Sequence, residues 1–223
     1  GQAISDSILV VCSFGWRKIE LLNEAKQIKL EPGVVGSQAN AALKFFGKKI
    51  GPDPASINAA QIGGIAANNA SGMCCGVDFN SYKTLKDIRV IFNDGTILDT
   101  SDDKSIEEFR NSKNELILQV KTLVDEIKQN KSLYAKIEKK FSIKNTTGYS
   151  LNALIDFDNE IDIIAHLMIG SEGTLGFISS ITYNTIEEPK MKASALILFD
   201  DIYEACSFVS DLKKEKSLVN AAE

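Results

Sequence analysis

Ile62-Gly63-Gly64-Ile65-Ala66-Ala67-Asn68-Asn69-Ala70-Ser71-Gly72 and, further along, Gly170-Ser171-Glu172-Gly173-Thr174-Leu175-Gly176-Phe177-Ile178 are the stretches on which the fold turns. From 59 to 72, nine of fourteen residues are Ala, Gly or Ser. So little side-chain bulk lets something approach the main chain closely. A run such as Gly63-Gly64 removes Cβ atoms and bares backbone N–H groups, which suits an anionic or planar ligand. A helix beginning there would aim its positive end at such a group, and Asn68 and Ser71 add side-chain donors. Close packing of helix on sheet through small residues explains the same composition, and both readings stand at this point. The pattern is neither G-x-G-x-x-G after a strand nor G-x-x-x-x-G-K-[ST], so a Rossmann dinucleotide site is not supported and a P-loop is excluded.

Outward from these stretches, the chain alternates strand and helix signals. Upstream, Ile8 to Cys12 reads as a buried strand and Gln27 to Leu30 as a strand ended by Glu31-Pro32-Gly33. Ser37 caps a helix through Phe46 that Gly47 stops. Gly51-Pro52-Asp53-Pro54 is a loop, because its prolines fix the backbone and remove donors. Asp87 to Asp99 is a hairpin: Ile88, Val90 and Phe92 alternate, and Asn93-Asp94-Gly95-Thr96 supplies the turn. Leu116, Ile117, Val120, Leu123, Val124 and Ile127 place Glu115 to Lys128 in an amphipathic helix. A second helix carries Leu133, Tyr134, Ile137 and Phe141 inward. Ile161 to Leu167 is helical and Phe177 to Ile186 a strand, closed by Glu187-Glu188-Pro189. Ala195 to Phe199 then reads as a new strand and Asp201 to Lys213 as a new helix, so a domain boundary is expected near Pro189. The expected domains are 1–189 and 190–223.

The 223 residues carry a formal net charge of −5, with 44% hydrophobic and 25% charged residues, as in an ordinary globular protein. No segment is dominated by Lys and Arg, which argues against nucleic acid as a partner. No apolar run approaches the ~20 residues that span a bilayer. Cys12, Cys74, Cys75 and Cys206 form no C-x-x-C pair, and the one histidine, His166, lies far from them in sequence. A zinc or iron–sulfur site from this chain alone is therefore not expected, and reduced thiols point to a cytoplasmic protein. His166 reads as a packed or surface histidine, since no second histidine or carboxylate cluster accompanies it. Trp16-Arg17-Lys18 reads as an exposed edge.

Taken together, Pro52-Asp53-Pro54-Ala55-Ser56, Ile62-Gly63-Gly64 and Asn68-Asn69-Ala70-Ser71-Gly72 resemble the flavin-proximal loop of the vanillyl-alcohol oxidase superfamily. Gly170 to Ile178 resembles that superfamily's Gly-Ser-Glu-Gly-Thr-Leu-Gly signature. Ile143-Lys144-Asn145-Thr146-Thr147-Gly148-Tyr149-Ser150-Leu151-Asn152-Ala153 resembles the branch in which an FAD dehydrogenase is fused to a C-terminal iron–sulfur module, near D-lactate and D-2-hydroxyglutarate dehydrogenases. Gly1-Gln2-Ala3 resembles the tail of the first glycine loop, most of which would lie upstream.

The resemblance implies an α+β fold: a PCMH-type FAD-binding domain, mainly an antiparallel sheet flanked by helices, with a truncated parallel subdomain at its N-terminus. It implies FAD as cofactor, with any iron–sulfur cluster in a further C-terminal part. Pro54, Ala55 and Ser56 would sit at the flavin end, and Ile62, Gly63 and Gly64 along the ribityl–pyrophosphate. Asn68, Ser71 and Gly72 would lie near the ring or diphosphate. Glu172, Gly173, Gly176 and Ile178 would lie near the adenosine half, Ile178 through its backbone. The implied reaction is hydride transfer from a D-2-hydroxy acid to flavin N5, with a separate electron acceptor. An oxidase of alcohols, phenols or sugars on the same scaffold, or a flavin-binding module without catalysis, is the alternative. The superfamily's catalytic and metal-binding residues belong to its cap domain, so no catalytic residue or metal ligand is expected here. Cys74-Cys75 gives no ground for a covalent flavin tether. With most of the first glycine loop upstream, the chain by itself is expected to be inactive and to hold FAD weakly.

Overall fold

Alternation of side chains across a pleated strand decides which face of the sheet is dry. In the computed structural model, which describes residues 11–214 and residue 219, five antiparallel strands form one sheet. They are β1 (Ile19–Leu22), β2 (Gln27–Leu30), β4 (Leu85–Ile91), β5 (Ile97–Asp99) and β6 (Phe177–Asn184), in the spatial order β1-β2-β6-β4-β5. A separate pair joins β3 (Lys48–Lys49) to β7 (Ile186–Glu187). The register sets Ile28 opposite Tyr183, Leu30 and Ile88 opposite Ile181, and Val90 opposite Ile178 and Leu98. All of these side chains are buried, on one face. The other face carries Glu20, Lys29, Asp87, Arg89 and Asp99, as expected of an antiparallel sheet with one wet side.

Helices cover the dry face and one end of the sheet. In chain order they are α1 (Gly36–Leu43), α2 (Ile62–Asn68), α3 (Ser81–Thr84), α4 (Asp103–Ser112), α5 (Asn114–Gln129), α6 (Lys131–Phe141), α7 (Ala153–Asp156), α8 (Glu160–Met168) and α9 (Ile202–Lys214). Helices α2 and α3 contact β6, α8 contacts β4, and α4 contacts β5. Tyr183 is wholly buried and satisfies its hydroxyl with Ser81 Oγ at 2.9 Å, and burial pushes its phenol above the ordinary value. Phe109 of α4 is also wholly buried, 5.2 Å from the Phe92 ring.

The antiparallel α+β architecture and the Asp87–Asp99 hairpin are as the sequence leads one to expect. Gly95 turns the hairpin at φ 83°, and Asp94 Oδ1 accepts from Thr96 N. Pairings among the described strands are all antiparallel. The parallel remnant, the opening Gly1-Gln2-Ala3 and residues 8–10 of the expected first strand lie outside the described residues.

Local differences have physical causes. Val35, not Ser37, precedes α1: Gln38 Oε1 accepts from Val35 N, while the N–H groups of Gly36 and Ser37 donate to Ala60 and Ile57 carbonyls. The helix start is stitched to the loop after Pro54 instead of being capped by its own hydroxyl. On α5 the buried stripe is Ile117, Val120, Val124 and Ile127; Leu123 is exposed, as is Leu133 on α6. The expected strand through Ile186 ends at Asn184, because Thr185 turns to donate to the Lys26 and Ala25 carbonyls. Trp16 is half-buried, edge-on to Phe177 at 5.2 Å, so it is not merely an exposed edge. Residues 195–199 form no strand. Leu196 and Leu198 are 90% and 86% exposed, and a strand without a partner has nothing to bond its edges. Helix α9 does form, with Asp201 Oδ1 accepting from Tyr203 N and Glu204 N.

Candidate functional site

The two glycine-rich stretches meet at the C-terminal end of α2. A helix leaves its last carbonyls without partners, and here the second stretch supplies them. Gly170 N donates to Ala66 O at 3.1 Å and Glu172 N to Ala67 O at 2.8 Å. Asn68 Nδ2 donates to Glu172 Oε1 at 2.5 Å. Asn69 ends the helix in the left-handed region at φ 51°, and its buried Oδ1 accepts from Tyr82 N. To aim its N–H groups at α2, the second stretch runs left-handed at Gly170, Glu172 and Gly173. That conformation is cheap for glycine and costs about 1 kcal/mol or more for Glu172.

The glycines divide into two kinds. A Cβ on Gly63 would stand 2.7 Å from Pro32 Cβ, and one on Gly176 2.7 Å from Val90 Cγ1. A Cβ on Gly72 would fall 1.5 Å from the Asp53 carbonyl oxygen. These three are bare because the protein packs on itself there. Gly64 and Gly173 are the other kind: both are exposed, with nothing within 4 Å of where a Cβ would point.

Pro54 is buried under the Gly51–Ser56 loop, while Ala55 and Ser56 face outward. Ser56 O accepts from Ala59 N and Ala60 N, which delivers the chain to α2. Ile62 is core, and Ser71 is half-buried beside Gly72. Ile178 is buried in β6 opposite Val90, so its backbone belongs to the sheet. The α2 N-terminus is not free for an anion: Ile62 N and Gly63 N donate to the Val34 and Pro32 carbonyls. Gly72 thus holds the 51–56 loop against α2's exit, and α2's exit holds the 170–173 turn. Two shallow depressions, of about 470 and 340 Å³, flank Arg89 and Asp99 and include none of these residues.

Three further features surround the joint. Segment 144–150 ties both stretches together: Lys144 Nζ donates to Gly72 O at 3.4 Å, Tyr149 Oη meets Thr174 Oγ1 at 2.9 Å, and Ser150 Oγ donates to Ile169 O at 2.7 Å. Behind it, His166 stacks on Phe157 at 4.0 Å and meets Tyr82 edge-on at 4.8 Å. His166 Nδ1 faces Asp162 O at 2.7 Å, and Tyr82 Oη donates to Asp156 Oδ2 at 2.8 Å. Desolvation pushes the imidazole pKa below its ordinary value, and pushes the Tyr82 phenol above its own. Finally, among the described residues the buried side-chain polar atoms without a partner are Asn145 Nδ2, Asn152 Oδ1 and Ser171 Oγ, the first and last in these segments and Asn152 just after residue 150. Only buried polar groups with spare capacity near open main chain fit a polar ligand lying flush on the backbone, and this site offers both. No group of three or more metal-ligating side chains occurs among the described residues, and no helix there is long and apolar enough to cross a membrane.

Comparison with known proteins agrees with this geometry. Residues 1–101 match the FAD binding domain family. The chain is 28% identical to D-2-hydroxyglutarate dehydrogenase of Pantoea ananatis, over 99% of this chain and 21% of that protein. It is 27% identical to the Escherichia coli enzyme of that name, over 99% and 21%. It is 26% identical to the mitochondrial cytochrome D-lactate dehydrogenase 1 of Saccharomyces cerevisiae, over 88% and 24%. The chain therefore spans about a fifth of the length of the curated relatives it matches. A solved structure of alkyldihydroxyacetonephosphate synthase shares the fold, with TM-score 0.54 and 16% identity over 92% of this chain and 28% of that one. By its glycine-rich motifs, its antiparallel sheet and these matches, the chain is similar to the FAD binding domain family over residues 1–101 and, over most of its length, to a part of the D-2-hydroxyglutarate and D-lactate dehydrogenases.

Proposed function

We propose that the protein carrying this chain oxidises a D-2-hydroxy acid, of the D-lactate or D-2-hydroxyglutarate kind, and that this chain holds its FAD. The observation that carries the reading is the joint at the end of α2, where Gly170 N and Glu172 N donate to the Ala66 and Ala67 carbonyls and tie the two glycine-rich stretches together. The names of the relatives support the substrate class. In this reading Ala55 and Ser56 face the flavin end, with Pro54 buried behind them. Gly64, Asn68 and Ser71 lie along the ribityl and diphosphate, with Ile62, Gly63 and Gly72 packed beneath. Glu172 and Gly173 face the adenosine half, with Gly176 and Ile178 holding the strand behind them. Residues 1–189 form the FAD domain and 190–223 begin a substrate domain. Bound FAD supplies the hydride acceptor for oxidation of the substrate α-carbon; the residues here orient it and exclude water. The electrons pass to a separate acceptor, and the protein works in the cytoplasm.

The test uses the intact protein. Purified anaerobically, it is mixed with D- and L-lactate and with D- and L-2-hydroxyglutarate, and the visible flavin band is followed. Bleaching by a D-isomer alone, with formation of the 2-keto acid, is the expected result. A flavin that no hydroxy acid reduces overturns the substrate assignment, and a protein with no flavin overturns the whole reading.

A further inference from the structure

The site has ample backbone donors, yet FAD brings negative charge that backbone alone does not neutralise: two phosphates and, once reduced, an anionic ring. Charge near the joint is therefore the quantity to follow. Lys49 stands beside the 51–56 loop but is spent, 3.1 Å from Asp53 in an ion pair. Glu172 is acidic and held by Asn68. Lys144 differs. Among the described residues it makes no ion pair, and its ammonium reaches only the Gly72 carbonyl, 3.4 Å away. Gly72 is the residue jammed against Asp53, just before Pro54-Ala55-Ser56, so the ammonium stands where the first stretch crosses the loop at the flavin end.

The neighbouring residue points the same way. Asn145 Oδ1 accepts from Thr147 N, which fixes the amide, and Asn145 Nδ2 is buried without a partner. Both spare groups are donors. A buried amide donor left unmet costs about 1–3 kcal/mol, and Lys144 is exposed, so the rest of its ammonium is hydrated and can exchange that water for an anion. The segment bearing them is anchored at its far end to the second stretch through Tyr149 and Ser150. Lys144 is thus presented by an ordered strap and not by a free loop.

We propose that Lys144 is a flavin-binding residue, its ammonium pairing with an anionic part of the bound nucleotide. This rests on the FAD reading above. The anion is either the diphosphate or the reduced ring, and the measurements separate them. In the intact holoprotein, Lys144→Met and Lys144→Arg are compared with the parent for FAD affinity by fluorescence titration and for flavin midpoint potential. A charge-assisted bond of this kind is worth about ten- to hundredfold. If it meets the diphosphate, Lys144→Met weakens FAD by that factor with the potential unmoved. If it meets the reduced ring, oxidised FAD binds as before and the potential falls by about 30 mV per tenfold lost. Either way Lys144→Arg restores most of the effect, because it keeps the charge. A Met variant with the parent's affinity and potential overturns the proposal, as does an Arg variant as impaired as the Met variant while melting normally. If the parent itself holds no flavin, what has failed is the FAD reading and not the role of Lys144.

Discussion

Gly64→Ala separates the two meanings of a glycine in one experiment. Gly64 lies inside α2, is exposed, and has open space where a Cβ would stand. Glycine in a helix interior is about 0.5–1 kcal/mol worse than alanine, so the substitution stabilises the apoprotein. For a domain of this size that raises the melting temperature by about 1–4 °C. A ligand lying against the main chain meets the new methyl, and overpacking of that kind costs about 1–3 kcal/mol, or roughly 5- to 150-fold in affinity. The expected outcome is a more stable protein that binds FAD less well. Apoprotein melting and fluorescence titration of FAD in the intact protein measure the two effects. The paired control is Gly72→Ala, whose Cβ would meet the Asp53 carbonyl at 1.5 Å; backbone cannot yield there, so this variant loses stability outright. A Gly64→Ala protein that melts higher and keeps the parent's FAD affinity refutes the assignment of this backbone to the cofactor. One that melts lower refutes the open geometry itself.

Two further outcomes test the framework around the site. Burial disfavours the charged His166 ring, so its folded pKa lies below the unfolded value near 6.5. The unfolded chain then binds more protons in the window below that value, and stability rises with pH through the window and is lost as pH falls into it. Urea melts across the window should show this slope in the parent and a reduced slope in His166→Asn; equal slopes would exclude His166 as the group responsible. Phe109→Ala empties a fully buried site against Phe92 and should cost about 3–5 kcal/mol in urea-induced unfolding, and a loss below about 1 kcal/mol would show that the α4–β5 end collapses to fill the gap.

What could be read from the residues was whatever depends on short-range pattern. The Asp87–Asp99 hairpin announces itself because alternation and an Asn-Asp-Gly-Thr turn agree. The helices α5, α6, α8 and α9 announce themselves by apolar spacing. Strand β1 does not: the turn joining it to β2 runs Asn23, Glu24, Ala25, all at positive φ and none of them glycine. Thr185 and Gln27 hold that turn from outside it, through Ala25 O and Asn23 Nδ2. No local signal foretells a conformation that depends on Thr185, 160 positions away from Ala25. The same holds for Lys144 and Tyr149, whose importance lies in partners at 72 and 174. Composition marked both glycine stretches but could not divide Gly63 from Gly64, since only the position of Pro32 does so.

The joint at α2 explains why the second stretch has its particular spelling. Two N–H groups, from Gly170 and Glu172, must point backwards at Ala66 and Ala67 while the chain still enters β6 at Phe177. Left-handed backbone at 170, 172 and 173 achieves the reversal, and Gly176 then lets the strand start hard against Val90. The motif is therefore first a folding device, one that closes the end of a seven-residue helix too short to stand alone. Stability and flavin affinity are coupled through it, so damage at Asn68, Glu172 or Gly170 will lower both without revealing which residue touches the cofactor. Gly64 lies off that joint and Lys144 lies outside α2 and the turn, so substitutions at these two positions can move flavin binding with the fold left standing. For that reason the assignment of FAD to this surface is decided at 64 and 144, and not at the signature residues themselves.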